Sequence, residues 1–304
     1  MKFDEALCPC ESGKQTKDCC LTSTGSLWPK PHVPALSRPP TGIKNPKCYA
    51  SERADCSEQL SREHYISHGI LKELSDDGIN VVVEGFSWLK DDEKRNVPTR
   101  RLGSFILCKR HNHALRGFDT IAKRFFSRID TIDQGYVKES AQKAGKVFLF
   151  NGNDIERWML KTLCGLVYSG NSSSRSGPIP RAKPDIRVLK VLFAHDRFPA
   201  KLGLYSSANI GKVDNFQRSL EFALLSNNKR STYGLIVLLN RKRFILTLVP
   251  PPTRKDDNLL SGYIYRPDHL LLTDGKTANI IAFGWDVRGQ GGRIVIRYKK
   301  RGLE

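Results

Sequence analysis

The spacing of apolar residues predicts two helices in the middle of the chain. In residues 114–128 apolar side chains recur at helical spacing, and the same spacing returns between Asn153 and about Val167. Asn153 followed by Glu156 has the form of a capping box, which predicts that the second helix begins there. Cys164 lies on the apolar stripe of that helix, so we expect it to pack as a hydrophobic residue.

The remaining pattern predicts strands. Residues 78–85 and 104–108 form two of them, and after residue 188 short apolar or alternating runs are separated by Gly, Asn, Asp and Pro. These later runs are VLKVLF, LGLYSS, SLEFALLS, TYGLIVLL, RFILTLVP, GYIYRP, NIIAFGW and GRIVIRYK. Residues 239–244 predict a hairpin whose tip carries Arg241, Lys242 and Arg243. The pattern indicates an α+β protein with a mostly antiparallel C-terminal domain.

Two polar breaks suggest how the chain is organised. Residues 28–47 contain six prolines and no helix or strand period, which predicts an extended linker. Residues 169–184 are rich in Ser, Gly and Pro and predict a mobile loop. The expected segments are a cysteine-rich N-terminus (1–22), a linker (23–47), a second cysteine-rich domain (48–130) and a basic α+β domain (131–304).

Seven of the eight cysteines lie within the first 108 residues, in two clusters. The N-terminal sequence MKFDEALCPC has no apolar segment of the kind found in secretory signals, so we expect a cytoplasmic protein with reduced thiols. Reduced thiolates and imidazoles bind zinc as tetrahedral sets of four. Each cluster can supply such a set, so the sequence predicts two zinc ions.

The compact cluster, Cys8-Pro-Cys10-Glu-Ser-Gly-Lys followed by Cys19-Cys20, resembles the SEC-C zinc motif over residues 6–22. The resemblance implies one structural zinc bound by Cys8, Cys10, Cys19 and Cys20, and a protein or ribosomal partner. About twenty residues cannot bury a core, so metal binding must supply their folding free energy. The alternative is a disulfide-bonded or disordered tail.

The second cluster resembles the HNH-type, ββα-metal nuclease motif on a treble-clef zinc scaffold, over about residues 48–125. The matching residues are Cys48, Cys56, the run Arg62-Glu63-His64-Tyr65-Ile66-Ser67, and Cys108-Lys-Arg-His111-Asn112. The resemblance implies a second structural zinc bound by Cys48, Cys56, Cys108 and His111. Three features depart from the family pattern: the long Cys48–Cys56 spacing, His111 in place of a cysteine, and Glu63 in place of the common Asp.

The same resemblance implies a catalytic site. His64 becomes the general base, and Glu63 and Asn112 become ligands of a divalent ion, Mg²⁺ or Mn²⁺. A neutral imidazole can take a proton from water near pH 7, and a divalent ion can polarise the scissile phosphate. The alternative for Glu63 and His64 is an ion pair near the zinc site. His68 and His113 are expected at the surface or beside the zinc ligands.

Charge points to a polyanionic partner. The chain has a net charge of +19, and residues 121–304 carry 32 Lys and Arg against 15 Asp and Glu. Such a basic half attracts phosphate, which predicts DNA or RNA as the partner and places binding in residues 121–304. The alternative is a basic domain without a nucleic-acid partner. No run of 18 apolar residues occurs, so no membrane partner is expected.

Two functions of different classes follow from these observations. One is a metal-dependent HNH-type endonuclease acting on DNA or RNA. The other is a non-catalytic zinc protein that binds nucleic acid or a protein through a degenerate HNH-like fold. A third interpretation, an adaptor near ribosomes or translocons, depends on residues 6–22 alone. A cleft that gathers Glu63, His64 and Asn112 around one ion favours the enzyme, whereas a His64 that points into the core favours the binding protein.

Overall fold

The structure is a computed structural model that describes residues 5–36, 39–90, 92–137, 145–174, 177–194, 196–207, 218–227, 231–249 and 262–298. Within these ranges the helices are α1 (His68–Leu74), α2 (Lys109–Val137), α3 (Gly152–Ser169) and α4 (Ile186–Phe193). Single 3-10 turns lie at Ser51–Arg53 and Thr99–Arg101. Among the described helices none has the length and apolar character needed to cross a membrane.

Fifteen strands accompany these helices in the described residues. They are β1 (Leu60–His64), β2 (Asn80–Val83), β3 (Arg95–Pro98), β4 (Gly103–Cys108), β5 (Val147–Asn151), β6 (Ser173–Ser174), β7 (Gly177–Pro178), β8 (Gly203–Ser207), β9 (Leu220–Ser226), β10 (Thr232–Leu239), β11 (Lys242–Thr247), β12 (Tyr263–Tyr265), β13 (His269–Thr273), β14 (Ala278–Gly284) and β15 (Arg293–Arg297). The chain is therefore a mixed α and β protein.

The N-terminal half is built on a ββα unit. β1 pairs antiparallel with β4, and α2 begins at the residue that follows β4. Between the two strands the chain forms α1 and a second antiparallel pair, β2 with β3. α2 is 29 residues long and continues past position 130, where the sequence placed a domain boundary. One hydrophobic core runs from Cys48 to Tyr298 and includes residues on both sides of that position.

The C-terminal half contains two larger sheets. The five-stranded sheet has the order β12-β8-β11-β10-β9, and every neighbouring pair is antiparallel, as the sequence predicted. The four-stranded sheet, β15-β13-β14-β5, is mixed because β13 is parallel to β15 and β14 is parallel to β5. A strand from before α3 thus pairs with strands from the end of the chain.

Two local predictions were wrong for identifiable reasons. The run VLKVLF forms α4 and not a strand, because Asp185 caps the helix by accepting from the Arg187 N–H at 2.6 Å and Leu189, Leu192 and Phe193 share a buried face. The N-cap of α3 is Asn151, which accepts from the Asp154 N–H at 3.2 Å. Asn153 lies inside the first turn and is buried.

The described linker residues, 28–36 and 39–47, form no helix or strand, as predicted, but they pack against the protein. The Asn151 side chain donates to the Pro29 carbonyl at 2.8 Å, and the His32 N–H donates to the Asp154 carboxylate at 2.8 Å. The His32 ring also meets Phe118 of α2 edge to face, with ring centroids 4.9 Å apart. This part of the linker therefore lies fixed against α2 and α3.

The structure confirms the β10–β11 hairpin, but the prediction that its tip exposes three cationic side chains is wrong. Asn240 and Arg241 form the turn with left-handed φ values of 46° and 66°. Lys242 is fully buried and pairs with Asp133 of α2 at 2.7 Å, so the tip does not present three cations to solvent.

Of the expected basic tail, Arg297 is exposed and Tyr298 is buried. Residues 299–301 and the proline run 250–252 lie outside the described residues.

Replacing Lys242 by Met is expected to lower the free energy of unfolding by about 3–5 kcal/mol, because it leaves the Asp133 carboxylate buried without its cation. Chemical denaturation measures the loss. Arg241→Ala is the matched control, since Arg241 is exposed on the same hairpin and its removal should change stability by less than about 0.5 kcal/mol. Equal losses in the two variants would show that Lys242 does not pair as described.

Candidate metal centres and an adjoining basic cleft

The first cysteine cluster has the geometry of a zinc site. The thiol sulfurs of Cys8, Cys10, Cys19 and Cys20 all lie within 4.8 Å of one another. The Cys10–Cys19 and Cys19–Cys20 Sγ distances are 3.4 and 3.7 Å. Zinc at about 2.3 Å from each sulfur places neighbouring sulfurs about 3.8 Å apart, so the four thiols fit the ion. Gly13 supplies the left-handed turn between the two cysteine pairs, with φ at 77°.

Backbone contacts attach this cluster to the rest of the protein. The Leu149 N–H of β5 donates to the Pro9 carbonyl at 2.9 Å, and Arg124 of α2 donates to the Cys10 carbonyl at 2.7 Å. Arg128, one turn further along α2, pairs with Glu11 at 2.8 Å. The first cluster is thus held on the surface formed by α2 and β5.

The second cluster fits zinc equally well and is more deeply buried. His111 Nδ1 lies 3.5, 3.8 and 3.3 Å from the Sγ atoms of Cys48, Cys56 and Cys108. A tetrahedral zinc with ordinary bond lengths places nitrogen and sulfur ligands about 3.6 Å apart. The Cys48 thiol and, after it, His111 hold the pKa of Cys108 well below its ordinary value, despite opposing burial, so this sulfur is a thiolate ready to bind metal.

The ββα unit positions these four ligands. Cys48 and Cys56 precede β1, Cys108 is the last residue of β4, and His111 lies in the first turn of α2. The Ser57 N–H donates to the Cys108 sulfur at 3.4 Å, which stabilises the thiolate. Phe193 of α4 packs on the His111 ring with centroids 4.9 Å apart and fixes its orientation. A metal here therefore joins the start of the unit to the start of α2.

Glu63, a predicted catalytic residue, is buried and bound to another side chain. It is 2 % exposed, and its carboxylate forms an ion pair with Lys161 of α3. Lys161 also donates to both carboxylate oxygens of Asp119 at 2.8 Å. Burial, which Lys161 offsets only in part, raises the pKa of Glu63 to about 7. The two carboxylates outweigh the effect of burial on Lys161 and hold its pKa above the ordinary value, so the ammonium stays charged.

His64, the predicted base, stacks on another histidine. Its ring lies 4.6 Å from the ring of His68, at an angle of 17°. Burial above all, together with His68 and Lys161, lowers the pKa of His64 to about 4, so the imidazole is neutral at pH 7. Its Nε2 atom is buried and has no hydrogen-bond partner among the described residues. His68 contacts Thr99, with a distance of 3.4 Å from Nε2 to Oγ1.

Asn112, the third predicted catalytic residue, connects α2 to β1. Its side-chain nitrogen donates to the Ser61 hydroxyl at 2.8 Å and to the Arg62 carbonyl at 3.1 Å. The structure thus places Glu63, His64 and Asn112 on adjoining elements, but Glu63 faces α3 while the Asn112 amide bonds to the strand backbone. Among the described residues, no third group of three His, Cys, Asp or Glu side chains could hold a metal ion. The catalytic roles of these three residues stay predictions.

A basic cleft of about 760 Å³ opens beside the second metal cluster. Its cationic side chains are Arg62 from β1 and Lys109, Arg110 and Arg116 from α2. The neutral or weakly basic part of the wall consists of Ala35, Leu36, Ser61, Asn112 and His113. No acidic side chain belongs to the described lining. His113 is exposed and lies two positions after the candidate zinc ligand His111. A surface position was one of the two that the sequence predicted for it.

The sequence predicted both metal quartets: the cysteine clusters marked the two sites, and the resemblances to the SEC-C and HNH-type motifs implied which residues are the ligands. It missed Lys161 of α3, which binds Glu63, and Asp119 of α2, which binds Lys161. Lys161 lies in a helix that the sequence predicted to be amphipathic, where a lysine is expected at the solvent. No local signal marks it as buried.

No protein-family model, curated protein or solved structure matches this chain. The assignment of the two metal centres is therefore based on the arrangement of their ligands alone.

Elemental analysis is expected to find two zinc ions per chain, because both ligand sets have tetrahedral spacing. Cys10→Ser and Cys108→Ser should each remove about one equivalent. Cys164→Ser is the matched control: this cysteine is also buried, on α3, but belongs to neither cluster, so the variant should keep both ions. Less than one zinc in the wild-type protein, with thiols open to alkylation in the folded state, would contradict the assignment.

Proposed function

We propose that this protein binds the phosphate backbone of DNA or RNA in the basic cleft, as a zinc-scaffolded binding protein with a degenerate HNH-like fold. The observation that carries the proposal is the cleft itself, where four cationic side chains converge without an acidic neighbour in the described lining. Phosphate contacts from Arg and Lys supply most of the affinity in such interfaces.

Two of the cations have their charged groups available to a ligand. Within the described residues no carboxylate forms an ion pair with Arg62 or Arg116, and both side chains are exposed. Arg110 differs because Asp55 binds it at 2.9 Å, which makes it a fixed part of the wall. The Arg62 Nε donates to the Gly103 carbonyl at 3.4 Å, but its terminal nitrogens and the Arg116 guanidinium suit bidentate contact with phosphate oxygens.

The lining also favours backbone contact over base recognition. Proteins that hold single-stranded bases stack them on aromatic side chains, and the described lining contains no Phe, Tyr or Trp. Contacts to phosphate carry no sequence information. We therefore expect binding that tolerates different sequences and weakens steeply with salt.

The cleft lies in a segment that net charge did not single out. Residues 48–120 carry a net charge of −1, whereas the sequence placed nucleic-acid binding in residues 121–304. Two of the acids in this segment are withdrawn from the cleft, since Glu63 is buried against Lys161 and Asp55 is bound to Arg110. The local potential is thus positive although the sum of charges is not.

The second zinc gives the cleft its shape on this proposal. Its ligands Cys108 and His111 enclose Lys109 and Arg110, and Asn112 follows directly. A zinc-bound turn is held rigidly because metal binding supplies folding free energy. Removing this zinc should therefore abolish binding even if the rest of the protein stays folded.

Replacing Arg62 and Arg116 together by Ala is expected to weaken binding to duplex DNA or RNA by about tenfold or more, since each loses a charge-assisted hydrogen bond. The salt dependence should also fall, by about one unit of log–log slope for each lost phosphate contact. Fluorescence anisotropy with duplexes of two unrelated sequences measures both quantities.

Arg293→Ala is the matched control for this experiment. Arg293 is exposed on β15, in the four-stranded sheet, and its removal changes the net charge of the chain in the same sense. The proposal fails if the control weakens binding as much as the double cleft variant does, or if affinity in the wild-type protein does not depend on salt.

A second candidate function is phosphodiester hydrolysis with His64 as general base. The observation that favours it is the neutral imidazole of His64, whose Nε2 atom has no protein partner among the described residues. The ββα order of strand, strand and helix also agrees with the HNH resemblance. The position of Glu63 argues against a metal-assisted mechanism. Its carboxylate is bound by Lys161 and does not fit a catalytic Mg²⁺ or Mn²⁺ site.

If the protein is a nuclease, His64→Ala should lower the cleavage rate by about 10²–10⁴-fold, the usual effect of losing a general base. Plasmid DNA and a structured RNA, each with Mg²⁺ and with Mn²⁺, are the substrates. His68→Ala is the control, because it removes the stacked ring but not the candidate base. Wild-type protein that cleaves neither substrate with either metal rules out this second candidate.

The first zinc cluster receives a structural role in this proposal, because its backbone is bonded to β5 and α2. The protein or ribosomal partner that the SEC-C resemblance implies stays a prediction.

A further inference from the structure

The ion cluster at Lys161 joins three elements in the core of the protein. Lys161 lies on α3 and is 2 % exposed, Glu63 lies on β1 and is also 2 % exposed, and Asp119 lies on α2. The Ser67 hydroxyl donates to Asp119 at 2.6 Å, and the Trp158 indole donates to that same hydroxyl at 3.0 Å. The position of the Asp119 carboxylate is therefore fixed by neighbours other than the lysine.

Lys161 forms ion pairs with two carboxylates. An ammonium group has three N–H donors, and the oxygens near Nζ are one from Glu63 and two from Asp119. Two carboxylates that converge on one point form an oxygen donor set of the kind that hard divalent cations prefer. In this protein a side-chain cation stands at the point of convergence.

The charge balance explains why one cation at this place excludes another. Glu63 is buried and Asp119 is half-buried, so two carboxylates this close need positive charge nearby for both to stay ionised. Lys161 supplies this positive charge. Because the lysine belongs to the chain, no ion has to be bound from solution. A divalent ion at the same oxygens would meet a like charge within about 3 Å, a repulsion that is strong in a weakly screening interior.

We propose that the Lys161 ammonium is the resident cation of the Glu63–Asp119 carboxylate pair and excludes divalent metal ions from it. The wild-type protein consequently binds no Mg²⁺ or Mn²⁺ through Glu63. This inference goes beyond the proposed function, since it concerns the carboxylate pair and holds whatever ligand the basic cleft binds.

Mn²⁺ binding to the zinc-loaded protein, followed by electron paramagnetic resonance, tests the proposal. Lys161→Ala removes the ammonium and leaves space for an ion and its water ligands. It should bind one Mn²⁺ at least tenfold more tightly than the wild-type protein does. Adding Glu63→Gln to this variant should abolish the gain, because it removes one of the two carboxylates. Lys161→Met is the matched control, since it removes the charge but fills the space, and it should gain little Mn²⁺ affinity.

A variant that leaves the buried Glu63 carboxylate beside Asp119 without a cation can fail to fold, so thermal unfolding is measured with and without Mn²⁺. Mn²⁺ should raise the melting temperature of Lys161→Ala, or restore its folding, and should have no such effect on Lys161→Met. Failure of Mn²⁺ to bind, stabilise or rescue Lys161→Ala contradicts the proposal.

The wild-type protein gives a test that does not depend on the folding of any Lys161 variant. Wild-type protein and Glu63→Gln should show the same weak Mn²⁺ binding, because neither offers Glu63 to a metal. The proposal is overturned if wild-type protein binds Mn²⁺ and Glu63→Gln loses that binding. Nucleic acid is absent from all these measurements, so their outcome is independent of the binding experiments on the cleft.

Discussion

A helix that is buried on nearly every side can carry charged residues only if each of them meets a partner inside the protein, and α3 carries four. Asp154 accepts from the backbone of the linker, and Arg157 donates to a carbonyl of α4. Glu156 forms two bonds of 2.9 Å with Arg266, beside β12, and accepts from the backbone of β8. Lys161 binds β1 and α2. The helix thus meets a different part of the fold in each direction.

These pairs determine orientation more than they add stability. A buried ion pair gains little over well-packed apolar residues of the same volume, but breaking one by removing a partner costs about 3–5 kcal/mol. An arrangement of the ββα unit or of the five-stranded sheet that separates Lys161 or Glu156 from its partner is therefore strongly disfavoured. Apolar packing alone would tolerate several orientations of neighbouring elements around a buried helix. The charges on α3 remove that freedom.

The same contrast separates what the sequence could predict from what it could not. The β10–β11 hairpin and both metal quartets followed from short patterns, because their partners are close in sequence or belong to cysteine knuckles. The sequence placed Lys242 at the exposed tip of a hairpin, and no local pattern marks Lys161 as buried. Asp133 lies 109 positions from Lys242, and Glu63 lies 98 positions from Lys161. The local pattern does not encode how the elements that carry these partners pack together. Non-local pairing of charges is the information that one sequence lacks.

Burial of Glu63 also bears on the surface that β1 presents. A carboxylate at the solvent beside Arg62 would neutralise part of the basic cleft and would repel phosphate at close range. Successive side chains of a strand point to opposite faces, so Arg62 faces the cleft and Glu63 faces Lys161 in the core, and the described lining holds only cationic and neutral side chains. On the proposed function one lysine therefore has two effects on the same strand. It pairs with the Glu63 carboxylate on the inner side, and Glu63 held there adds no negative charge to the outer side, where we propose that a polyanion binds.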